Sequence, residues 1–164
     1  MLSLLQPLSL VLLTTAMVTL QTLSAHYFPQ VTVLIDLPLV ALLYITLIRK
    51  SLLWILFLGT LVGVLQDSQT VSLFGLNGFS NIAVCSLVYL SSAVIAVDRF
   101  VARLVIFWLS FLLSNLISWM LRIFFLNRYE SFPFDQALVG AFICTLIGLP
   151  LFYLFDRVLR MDKD

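Results

Sequence analysis

Charged side chains are scarce in this chain. Nine Lys and Arg and eight Asp and Glu make up only 10% of 164 residues, against about 25% in soluble domains. The net charge is +1, so there is no basic footprint for nucleic acid. A single histidine, His26, excludes a multi-histidine metal site. No Gly-x-Ser-x-Gly elbow and no phosphate-binding glycine loop occurs, and the acids are too scattered for a two-metal centre. Ser86, Ser91 and Ser92 lack a base, because His26 lies on a different expected helix. The two cysteines, Cys85 and Cys144, sit inside apolar runs, which suits packing better than a disulfide or a metal. No catalytic residue, metal or cofactor is expected, and the chain does not read as an enzyme.

Apolar residues are what remains, at 62% of the chain with a mean hydropathy of +1.14. That composition reads as an all-α integral membrane protein, one polytopic domain over residues 1–164. Apolar runs predict helices over about 4–27, 31–48, 51–66, 75–97, 104–126 and 134–155, the first with ample length for a span of ~20 residues. The first lacks a basic leader and runs on into further spans, so it reads as retained. His26, Tyr27, Phe28 and Pro29 close it with an aromatic interfacial boundary. Asp36 falls in the first turns of the second helix, followed by Pro38, where a missing N–H is tolerated. Asp67 to Phe74 reads as a polar connection.

Six spans place both termini on one face. Arg49, Lys50, Arg99, Arg103, Arg157, Arg160 and Lys163 are seven of the nine basic residues and share that face, so both termini are expected in the cytoplasm. Asp36, Asp67, Asn77, Arg122, Arg128, Glu130 and Asp135 then fall toward the outer face. An ionisable group inside a span needs a partner or water. Arg122 is therefore expected to pair with Asp36 or Asp67, or else all three are solvated at headgroup level. On the fifth helix Ser110, Ser114, Ser118 and Arg122 recur every four residues with Asn115 beside them, a polar stripe that should face the bundle interior. Asn77, Ser80 and Asn81 at the start of the fourth helix should also face protein.

Small residues mark close-packing faces. Gly59 and Gly63 lie four apart on the third helix, and Gly140, Cys144 and Gly148 repeat the spacing on the sixth. Such faces let another backbone approach closely. They are candidate surfaces for a partner helix, with packing inside the chain the other use open to them.

Three segments carry a family resemblance. Ile35-Asp36-Leu37, Gly63-Val64-Leu65-Gln66-Asp67-Ser68, and Gly75-Leu76-Asn77-Gly78-Phe79 followed by Tyr89-Leu90 resemble, in order and spacing, the signatures of the MreD family of rod shape-determining membrane proteins. Two departures are the lack of a proline before Asp36 and Leu87-Val88 where a glycine commonly precedes the tyrosine. The resemblance implies a six-transmembrane-helix bundle similar in fold to the S components of energy-coupling-factor transporters. It also implies a non-enzymatic scaffold in the bacterial cytoplasmic (inner) membrane that pairs with the bitopic protein MreC. That pair regulates lateral peptidoglycan synthesis and rod shape in the elongasome, with RodA and its transpeptidase, MreB and RodZ in the larger complex and membrane lipid around it. The alternative is a solute-binding, S-component-like transporter subunit whose pocket is lined by Asp36, Asp67, Asn77, Asn81 and Arg122. Against it, the first helix lacks an Ala-xxx-Ala coupling surface, since Ala16 is flanked at that spacing by Leu12 and Leu20.

Overall fold

A computed structural model describes residues 2–27, 35–48, 51–69, 75–92, 100–126 and 131–160. They form six helices and no strand: α1 Leu2–Tyr27, α2 Leu37–Ile48, α3 Leu52–Gln69, α4 Leu76–Ser92, α5 Phe100–Leu126 and α6 Phe134–Arg160. Two helices are long and apolar enough to cross a membrane, over Phe100–Phe125 and Phe134–Phe155, and α2 and most of α3 are shorter apolar helices. Arg49, Lys50, Arg99, Arg128 and Lys163, on which the orientation expectation leans, lie outside the described residues, as do Phe28, Pro29 and Glu130.

The helix ends differ from expectation in physically intelligible ways. Asp36 is not within α2 but precedes it as the N-cap, its carboxylate accepting the Leu39 N–H at 3.2 Å. Asp67 and Ser68 are not loop: α3 continues through them to Gln69, because the Asp67 side chain turns toward the next helix rather than back on its own backbone. α5 begins a turn earlier than its apolar run, at Phe100, and α6 carries the tail on as helix to Arg160.

α2 is the centre of the bundle. It touches each of the other five helices, and all nine residues from Pro38 to Thr46 are buried. A helix that is apolar on every face, LPLVALLYITLI, has no solvent side to offer. Around it pack Val18 of α1, Ile55, Leu58 and Val62 of α3, Val84 and Cys85 of α4, Phe107 and Phe111 of α5, and Ala141, Cys144 and Phe152 of α6. Tyr44 meets Phe152 and Phe155 edge-on at centroid distances of 5.1 and 5.4 Å.

The glycine faces are consumed inside the chain. Gly59 lies against Ile82 of α4, Gly63 against the backbone of Gly78, and Gly148 against Phe107 and Val40. Gly140 and Cys144 are buried as well. Of the two uses open to these faces, packing inside the chain is the one seen at Gly59, Gly63 and Gly148, where helices of the same chain occupy the space. The α3–α4 contact is the most extensive in the bundle, and Gly63 makes it possible: a Cβ there would sit 2.0 Å from the Gly78 Cα.

The same contact is asymmetric, because a Cβ on Gly78 would lie 3.7 Å from the Gly63 Cα, an ordinary packing distance. Gly63→Ala is expected to cost about 3 kcal/mol or more and Gly78→Ala far less. Thermal unfolding of the two purified variants checks this, and equal melting temperatures would contradict the close contact.

Candidate functional site

The amino end of α2 is where the polar residues collect. The first N–H groups of a helix have no acceptor within it, and in a packed interior other chain segments must supply one. Asp36 serves the Leu39 N–H. Gln21 of α1 accepts the Leu37 N–H through Oε1 at 2.9 Å and donates through Nε2 to the Ile35 carbonyl at 3.1 Å. The Asp36 N–H points to Cys144 Sγ of α6 at 3.4 Å.

From this cap a chain of amides runs outward. Gln66 of α3 donates through Nε2 to Asp36 Oδ1 at 3.1 Å, and its Oε1 accepts from Asn81 Nδ2 of α4 at 2.8 Å. Asn81 is only 2% exposed, so this bond keeps a buried amide satisfied. One residue beyond Gln66, Asp67 caps the next helix. Its Oδ2 accepts the Gly75 N–H at 2.7 Å and its Oδ1 the Asn77 N–H at 3.2 Å. Gly75, at φ 95°, supplies the left-handed turn that brings those two N–H groups to one carboxylate.

The serine stripe of α5 divides by depth. Ser110 is buried and donates to the Ile106 carbonyl of its own helix at 2.6 Å. Ser114 and Ser118 meet Ser80 of α4 in a hydroxyl cluster with separations of 3.2 and 3.3 Å. Asn115 is exposed and donates to the Phe111 carbonyl at 2.9 Å. Arg122, one turn farther, is exposed. No ion pair joins Arg122 to Asp36 or Asp67 among the described residues, so that expectation is corrected. Both carboxylates are already engaged by amide N–H donors.

These groups surround a cavity of about 460 Å³. Gln21, Asp36, Gln66, Asn77, Asn81, Ser114, Asn115, Ser118 and Arg122 line it on the polar side, Val18, Ile35, Pro38, Phe111 and Cys144 on the apolar side. Asp67 is not in the lining: it is 1% exposed and spent on its cap. Gln21 and Gln66 were not anticipated as site residues. Gln66 adjoins Asp67 in a signature segment, and Gln21 is the lone amide in the second half of α1, a signal that could have marked them. Among the described residues no group of three or more His, Cys, Asp or Glu could hold a metal ion.

A second concavity of about 700 Å³ opens between the second half of α4 and the first half of α5. Its wall is apolar, with Leu87, Val101, Val105 and Leu109 beside the smaller Ala102 and Ser91. Val105 and Leu109 are exposed.

No protein-family model, no curated protein and no solved structure matches the chain.

The double cap by Asp67 makes a quantitative expectation. Asp67→Ala strips acceptors from two helix-start N–H groups and should cost about 2 kcal/mol or more, whereas Asp67→Asn keeps one acceptor and should cost about half as much. Chemical denaturation of the purified variants measures both, and an unchanged Asp67→Ala would mean that the cap contributes nothing.

Proposed function

We propose that this chain is a multi-pass membrane scaffold of the MreD kind, crossing the bacterial cytoplasmic membrane six times with both termini inside. In this reading it pairs with an MreC-like bitopic partner to regulate lateral peptidoglycan synthesis and cell shape, and carries out no chemistry itself. The observation that carries the reading is convergence. Residues of the three signature segments meet at one place: Gly63 presses on Gly78 and Asp67 caps the turn at Gly75 and Asn77 within one helical hairpin, and Asp36, some thirty residues earlier in the chain, bonds Gln66. Residues of the segments that carry the resemblance thus act together as one structural node.

The membrane part of the proposal draws on surface chemistry. Large apolar side chains point outward along the bundle, among them Leu53 at 79% and Phe124 at 81% exposure. In water such a lateral surface would drive association; in lipid it is the solvent-facing side. Hydroxyls inside the helices bond carbonyls three or four residues back, as in Thr15, Thr22, Thr46, Thr60, Ser91 and Thr145. A chain in hydrocarbon must satisfy its polar groups internally in this way. Arg103 lies over the Phe152 ring at 4.9 Å, which shields its charge at the end of α5 assigned to the cytoplasmic side.

Because its own helices cover the glycine faces, the scaffold reading seats the single membrane helix of the partner in the open apolar groove between α4 and α5. Co-expression and detergent co-purification with the bitopic partner of the same organism tests this. Wild-type protein is expected to retain the partner, and Val105→Trp and Leu109→Trp to lose it with unchanged melting temperatures. Capture undiminished by both variants would exclude the groove, and no capture by wild-type protein would sink the scaffold reading.

A further inference from the structure

We propose that the polar cavity at the amino end of α2 is a binding site for a small zwitterion, with its ammonium end on Asp36 and its carboxylate or phosphate end on Arg122. The proposal does not rest on the scaffold reading, and the cavity shares none of its lining residues with the α4–α5 groove.

Size and lining suit a ligand rather than a packing defect. At about 460 Å³ the cavity lies within the ~300–1,000 Å³ range of small-molecule sites. Defects in well-packed interiors are small and apolar. Here an apolar wall of Val18, Ile35 and Phe111 faces a polar one drawn from α1, α3, α4 and α5 and from Asp36 just ahead of α2, the arrangement of sites that bury a ligand and orient it with a few polar groups.

The disposition of charge names the ligand class. Asp36 Oδ1 accepts both of the side chain's protein hydrogen bonds, from the Leu39 N–H and from Gln66. Oδ2 has no partner among the described residues, yet no described side-chain oxygen or nitrogen is both buried and unpartnered, so Oδ2 opens onto accessible space. A half-buried carboxylate with one oxygen committed calls for a positive donor at the other. Among the described residues Arg122 is the one cation in the lining and forms no ion pair. One carboxyl group with a free oxygen and one guanidinium without an ion pair among the described residues therefore share a single cavity. A simple anion would satisfy Arg122 and leave Asp36 facing it; a simple cation would do the reverse. A molecule with both charges satisfies both, and the fork of the guanidinium suits a carboxylate or phosphate. Asn77 and Asn115 remain along the wall to fix its orientation.

An ammonium joined to an acidic group occurs in free amino acids and short peptides, and in the ethanolamine phosphate headgroup of a lipid. The purified chain in detergent, challenged in thermal-shift assays with each amino acid, a dipeptide set and O-phosphoethanolamine at millimolar concentration, is expected to be stabilised by one or more of them. The N-acetylated or amidated form of the same compound should have no effect. Stabilisation by an amino acid or peptide identifies a solute source. Stabilisation by O-phosphoethanolamine alone, with retention of phosphatidylethanolamine but not phosphatidylglycerol from mixed nanodiscs, identifies a headgroup. In titration calorimetry Arg122→Gln and Asp36→Asn should each weaken binding roughly tenfold or more. Arg122 is exposed, so Arg122→Gln should keep its fold and remain informative if Asp36→Asn does not. The proposal is overturned if no zwitterion stabilises the chain, if the charge-blocked analogues act equally well, or if binding survives in Arg122→Gln undiminished.

Discussion

The structure depends on satisfying the amino end of a helix that is buried on every side. α2 has no polar face to set its rotation or depth, and apolar contacts alone are non-directional. Its N–H groups are directional, and each draws on a different neighbour: Gln21 from α1, Cys144 from α6, and Asp36, itself held by Gln66 from α3. The central helix is thus located by hydrogen bonds at one end and filled in by packing along the rest. An unpaired N–H or carboxylate there would carry its full desolvation cost, which makes the network an all-or-none condition on the arrangement of four helices.

The α3–α4 hairpin is the second rigid unit, and it is fastened at two adjacent levels. Gly63 and Gly78 bring the two backbones into contact. A turn farther along α3, Asp67 closes the connection from the inside by capping α4. Gln66 lies beside Asp67 on the same helix and reaches the opposite way, to Asp36, so two consecutive residues tie the hairpin to itself and to the core helix. A scaffold and a solute site are compatible on this frame. The apolar groove lies on the flank of α4 and α5, while the polar cavity lies among the helix ends beside α2.

Much of this arrangement is legible in the sequence, for identifiable reasons. The helices follow from uninterrupted apolar runs, and the inward turn of Ser110 and Ser114 follows from their spacing of four, the one periodic polar signal on α5. That Gly59, Gly63 and Gly148 permit close approach was also readable. What they approach was not, because a glycine face is the same whether the facing helix comes from this chain or another. Arg122 pairs with neither acid among the described residues; Gln66 and backbone N–H groups, neutral donors that leave no charge signal in the sequence, serve both carboxylates instead. Gln21 is a neutral partner of the same kind. The polar run from Asp67 reads as a loop, whereas a carboxylate whose oxygens accept from the start of the next helix can end a helix without leaving it.

The inequality of helix lengths has its own effect. α2 has 12 residues and is about 18 Å long, while α5 and α6 have 27 each and reach about 40 Å. α1, α3 and α4, with 26, 18 and 17 residues, are longer than α2 as well. Every neighbour of the core helix therefore has residues to spare, and polar ones among them, Gln21, Gln66, Asn77 and Arg122, line the volume beside Asp36 without displacing the apolar core.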